Sequence, residues 1–129
     1  MSIGETDDPL AVIQTYEAAV AVTKGDAVYL SEDGKVSPAA AAQDGFGIAT
    51  KTVAAGVGCP VLKRGRVKVA AGGAITIGKA VYGADSSHRV MALGDISEGG
   101  STLVSWTKKL GKALQTVTTA GDLLFIDVG

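Results

Sequence analysis

At 129 residues and a formal net charge of −1, the chain is the size of one domain with a real core, and it lacks the basic excess that marks proteins coating nucleic acid. Its one cysteine, Cys59, excludes an intrachain disulfide and a four-thiolate metal site, so packing must hold the fold. Much of the apolar content is alanine, and no run approaches the roughly 20 apolar residues of a membrane-spanning helix; no nucleic acid, membrane, metal or cofactor is expected as a partner.

Residues 1–9 carry Glu5, Asp7 and Asp8 but no cation, unlike a secretory signal with its basic start, which suggests use in the cytoplasm where the chain is made. Gly4, Pro9 and the lack of apolar periodicity make residues 1–10 an expected flexible arm, with Ile3 and Leu10 as apolar anchors near its ends. Residues 11–129 are expected to form a single β domain. Residues 11–22 suit either helix or strand, and Val12-Ile13, Tyr16 and Val20-Ala21-Val22 favour strand.

From there glycines punctuate short runs of Val, Ile, Leu and Thr, the pattern of many short strands joined by tight turns, and hence of an all-β fold. Val28-Tyr29-Leu30 and Lys35-Val36 read as a hairpin turned by Asp33-Gly34. Residues 47–53 are the next strand, Pro60-Val61-Leu62 returns, and Lys63-Arg64-Gly65 is predicted to turn the chain again. Arg66-Val67-Lys68-Val69 alternates polar and apolar residues, so one face is buried. Further strands are predicted at Ile75-Thr76-Ile77, at residues 78–82 and 90–93 across a polar turn ending at His88, at residues 103–106, at residues 113–117 and at residues 123–128.

A faint repeat runs through these elements. Gly25-Asp26-Ala27-Val28-Tyr29 matches Gly78-Lys79-Ala80-Val81-Tyr82, with Val36 or Val90 following. Thr52-Val53 and Gly56 match Thr116-Val117 and Ala120, with Val61-Leu62 then set against Leu123-Leu124. Two copies are too few for a solenoid, but two weakly similar β units closing over one core would explain them.

Residues able to do chemistry are scattered. His88, the lone histidine, falls in a polar turn where a solvated imidazole is the ordinary reading, and nothing singles out the converging groups of a catalytic triad. Cys59 beside a glycine turn reads as a small buried hydrophobe. The glycine loops lack both the dinucleotide fingerprint and the P-loop pattern. Lys63, Arg64, Arg66 and Lys68 could meet phosphate or an acidic protein surface, or form a solvated strand face. Trp106, the only tryptophan, must anchor either the core or an oligomer interface. No catalytic residue is assigned, and a non-enzyme is expected.

The series Gly25-Asp26-Ala27-Val28-Tyr29-Leu30, Asp33-Gly34-Lys35-Val36, Gly45-Phe46-Gly47-Ile48-Ala49 and Gly65-Arg66-Val67-Lys68-Val69-Ala70-Ala71-Gly72 resembles the capsid decoration proteins of tailed bacteriophages, also called capsid cement proteins. The resemblance runs from Thr15 to Val128. It implies a compact β-barrel or β-tulip-like body, a homotrimer at three-fold or local three-fold positions of the shell, and the major capsid protein as partner. It further implies a place on the outer surface of the virion and a role in stabilising the head against internal DNA pressure. On this reading Ile3, Gly4, Leu10, Lys63, Arg64 and Arg66 are candidates for capsid contact and Trp106 for the oligomer interface. The competing expectation is a non-catalytic β-barrel module that recognises carbohydrate or another protein.

Overall fold

The computed structural model describes residues 3–39, 46–83, 88–93, 96–98, 101–103 and 109–129. They form an all-β domain without helices. Eleven strands follow one another: β1 (Val12–Ala18), β2 (Ala27–Glu32), β3 (Lys35–Pro38), β4 (Gly47–Ala49), β5 (Gly58–Ala70), β6 (Ala80–Gly83), β7 (Val90–Ala92), β8 (Ile96–Glu98), β9 (Ser101–Leu103), β10 (Gly111–Ala113) and β11 (Leu123–Val128). Nine of them join in the order β1-β3-β2-β4-β5-β11-β10-β6-β7, and a further β1–β5 pairing closes the first five into a small barrel. Closure removes the exposed sheet edges that short open sheets leave.

The predicted hairpin forms, with Asp33-Gly34 as its loop and Gly34 at φ 70°. The ambiguous segment 11–22 supplies a strand, β1. Several expectations are corrected: the strand expected at Ile75-Thr76-Ile77 is only an isolated bridge from Ile75 to Val117, and that expected at residues 113–117 is β10, which ends at Ala113. Residues 47–53 give only the three-residue β4, with Val53 in an isolated bridge to Val22. Lys63-Arg64-Gly65 is not a turn, because β5 runs unbroken through it. Gly65, at φ 122°, takes up the change of direction inside the strand, and a Cβ there would lie 3.0 Å from Ala11. Glycine within a strand often marks such a bend or a close backbone approach.

That bend divides β5 between two units. Its first half pairs with β1 and β4, and its second half, from Gly65 to Ala70, pairs with β11. Each unit then repeats one hydrogen-bonding scheme. Gly25 N donates to Ala49 O as Gly78 N donates to Ala113 O, both at 2.8 Å. Lys24 N donates to Thr52 Oγ1 at 2.9 Å, as Ile77 N does to Thr116 Oγ1 at 3.0 Å. Val22 bridges Val53 as Ile75 bridges Val117. The parallel β1–β3 pairing of Ala18 with Val36 has its counterpart in the Ala71–Val90 bridge. The sequence matches at Gly25 and Gly78 and at Thr52 and Thr116 therefore occupy matching positions. The later alignment shifts: Gly56 N donates to Ala18 O as Gly121 N donates to Ala71 O, and Cys59 and Val61 correspond to Leu124 and Ile126 through their partners Tyr16 and Val69, Ala49 and Ala113. One extra residue in the second loop moves the Gly56 match from Ala120 to Gly121, and the expected match of Val61-Leu62 with Leu123-Leu124 is corrected to Ile126-Asp127.

The cores follow the same division. Ala18, Val22, Val28, Val36, Ala49, Val53, Cys59 and Val61 fill the first unit, and their eight counterparts, Ala71, Ile75, Val81, Val90, Ala113, Val117, Leu124 and Ile126, lie in the second. The second cluster also takes in Ala27, Ile48 and Leu62 from the first unit, so one outer face of the first barrel packs against the second. His88 stitches this junction, accepting from Ala27 N at 3.2 Å through its carbonyl while its Nδ1 donates to Ala39 O at 2.8 Å. It stands at φ 61° and is half-buried, a correction to its reading as a solvated turn residue. The β8–β9 hairpin enters between β7 and β10.

Candidate functional site

The cations expected to face a partner lie along β5, and the structure brings the N-terminal residues to the same strand. The second half of β5 pairs with β11 on one side, and its other edge is left to these residues. Gly4 N donates to Lys68 O at 2.6 Å and Lys68 N donates to Glu5 O at 3.1 Å, while Arg66 N reaches Asp8 Oδ2 at 3.3 Å. These bonds satisfy backbone groups that an open edge would leave to water. Residues 3–8 thus lie on the body as a strap, a docking that apolar periodicity did not foreshadow because backbone bonds and charges make most of it.

Side chains fix the register of the strap. Ile3 covers the Gly25 turn, where any Cβ would run into its Cγ1, and Gly4 is buried where a Cβ would lie 2.8 Å from Gly25 N. Glu5 pairs with Lys24 at 3.1 Å. Arg66 holds Asp7 through Nη2 and through Nε at 3.1 Å, and this guanidinium holds the Asp7 carboxyl below its usual range. The strap ends in a turn in which Leu10 N donates to Asp8 Oδ1 at 2.9 Å. Asp7, Asp8, Pro9, Arg66, Leu114 and Asp127 line a shallow cleft beside it. Leu10 stands out from the body at 82% exposure.

At the other end of the β5 cations, Lys63 Nζ sits 4.9 Å from the Phe46 ring centroid and 5.6 Å from that of Tyr16. The two rings meet edge to face at 5.0 Å. Gln14 Oε1 accepts from Tyr16 Oη at 2.9 Å and from Lys63 Nζ at 3.1 Å. Cation–π contact and a shared acceptor hold the four side chains in one arrangement at the surface. The matching positions of the second unit are Val67, Val69, Leu110 and Val128, all buried. The first barrel therefore presents an aromatic and cationic end where the second has an apolar plug. Sequence reading picked out Lys63 but missed Gln14, Tyr16 and Phe46; their mismatch with the second unit is the signal that finds them.

Of the predicted contact residues, Ile3, Gly4 and Arg66 meet at the strap, Lys63 belongs to the aromatic end, Arg64 is exposed on β5 between them, and Leu10 projects at the end of the strap. Trp106 lies outside the described residues. Burial pushes the Cys59 thiol up, with the Asp26 charge adding to the effect, which disfavours a reactive thiolate. Among the described residues no group of His, Cys, Asp and Glu is arranged to hold a metal ion.

The phage cement protein family model matches residues 39–129. The chain belongs to the phage cement protein family. A crystal structure of the head fibre gp8.5 N base of bacteriophage phi29 has the same fold, with a TM-score of 0.60 and 18% identity over 93% of this chain and 95% of that one. No curated protein matches the chain. Membership of the cement family makes this a capsid-associated structural protein of a phage, with a β-barrel body.

Proposed function

We propose that this cement protein is a non-enzymatic decoration that binds the outer surface of the head shell and stabilises it against the pressure of packaged DNA. Family membership over residues 39–129 carries the reading. The build of the molecule supports it. A closed barrel joined through one continuous strand to a second β unit resists deformation, because bending it must break hydrogen bonds along β5. A shell fails when neighbouring subunits part, and a rigid body touching more than one of them opposes that separation.

The partner on this reading is the major capsid protein, and the copies act as a homotrimer at three-fold or local three-fold positions. An oligomer whose axis coincides with a shell axis engages equivalent patches together, so avidity can exceed single-site affinity by about 10²–10⁴. The contact surface comprises the aromatic end with Lys63, the exposed Arg64, and Leu10 beside the strap. Aromatic side chains held beside a cation are the composition of interface hot spots.

The experiment is to add the purified chain to expanded shells lacking it and to sediment them, then heat decorated and bare particles. Co-sedimentation at a fixed stoichiometry with delayed release of DNA is expected. Failure to co-sediment with shells that are open to decoration overturns the proposal.

A further inference from the structure

We propose that residues 3–8 are an exchangeable strap, an extended acidic strand that fills the β5 edge of its own chain and can fill the same edge of a second copy. Three observations carry this. The receptor is complementary to this particular strand: Gly25 leaves room for Ile3, Lys24 meets Glu5, Arg66 meets Asp7, and the Lys68 backbone both donates and accepts. The body is complete without the strap, since neither buried core contains any of residues 3–10 and the first barrel closes among β1 to β5. The strap is joined to β1 through Pro9, Leu10 and Ala11, and Leu10 is 82% exposed, so a change of direction at Leu10, with Ala11 left against the core, exposes none of it.

The bonds that hold the strap are also ones that can open. Its two ion pairs have side chains between 36% and 47% exposed, where salt screens attraction. Once released, the strand finds its best ligand on another copy of the edge it has left. Exchange of an identical element loses no native contact, which makes it an inexpensive route to association. Extended, residues 3–9 reach about 20 Å, enough to cross to an adjacent molecule. The occupant of the exchanged site is thus a second copy of this chain, recognised by an apolar residue, a glycine and two acidic residues at alternate positions.

The test uses two full-length variants, Asp7→Cys and Arg66→Cys, mixed under mildly oxidising conditions without shells. Each substitution replaces a surface residue, and thermal unfolding checks that both chains stay folded. Neither variant can form this disulfide within itself, so a covalent heterodimer reports a strap of one chain seated on β5 of another. A several-fold excess of heterodimer is expected over a control mixture of Asp7→Cys with Asp33→Cys, which places the second thiol at the β2–β3 loop. Raised salt should speed its formation. Heterodimer no more abundant than in the control mixture overturns the proposal. Because no capsid enters the experiment, its outcome is independent of whether the protein binds shells.

Discussion

The two β units share a backbone scheme and differ in what they show to the outside. Ala27, Ile48 and Leu62 of the first unit are fully buried against the second, whereas the matching Ala80, Lys112 and Asp127 lie at the surface, with Lys112 and Asp127 exposed. At the barrel ends the contrast reverses, with Gln14, Tyr16, Phe46 and Lys63 in the first unit against Val67, Val69, Leu110 and Val128 in the second. Interior Val, Ala and Ile positions and the glycine turns set the hydrogen-bonding scheme. Outward positions then decide which face docks internally, which faces water, and which is left for a partner.

The sharpest way to break this comparison is to give one unit the other's outward residue. Ile48→Lys buries an unpaired charge at the junction and should destabilise by about 4 kcal/mol or more, whereas Lys112→Ile at the matching exposed position should move stability by no more than about 0.5 kcal/mol. Denaturant midpoints of the two variants measure the difference. If both behave alike, the outer faces are not distinguished as described.

The shared scheme makes symmetric predictions. A Cβ on Gly47 would lie 2.5 Å from Leu62 O, and one on Gly111 would press on Asp127 O. Gly47→Ala and Gly111→Ala should each cost about 1–3 kcal/mol by overpacking against a neighbouring backbone, read as parallel losses in thermal midpoint. Thr52→Val and Thr116→Val remove the acceptors of Lys24 N and Ile77 N and should each cost about 1 kcal/mol, with amide exchange quickening at those two residues. A loss in one unit without the other would show that their turns are not equivalent.

The smallest expected change in stability concerns the barrel end. Lys63→Val places the second unit's residue in the first and should alter stability by about 0.5 kcal/mol or less. Shell affinity should nevertheless fall by at least about tenfold if the aromatic end is part of the contact. Unchanged affinity in sedimentation would remove that end from the proposed contact surface.

Much of this was legible in the residues. Alternation in Arg66-Val67-Lys68-Val69, the Asp33-Gly34 turn and the Gly25 and Gly78 matches revealed the strands and the repeat because period-two burial and positive φ leave direct marks in sequence. Gly65 misled because glycine permits both a turn and a bend within a strand, and only the partner strands decide between them. The strap was missed for a different reason. Its hold depends on Lys68 backbone groups and on charges brought together across some 60 positions of chain, and neither leaves a periodic pattern. Phe46 and Tyr16 looked scattered along the sequence, but closure of β1 on β5 puts Tyr16 beside Lys63 and the pairing of β4 with β5 brings Phe46 there.

The most direct test of the capsid role is a pair of electron-microscopy maps of the phage head, from particles made with and without this protein. Difference density of the two-unit β body on the outer surface of the shell, at three-fold or local three-fold positions and with the Lys63 end toward the major capsid protein, is the predicted result. Identical outer surfaces in the two maps, or density confined to the interior of the head, would contradict it.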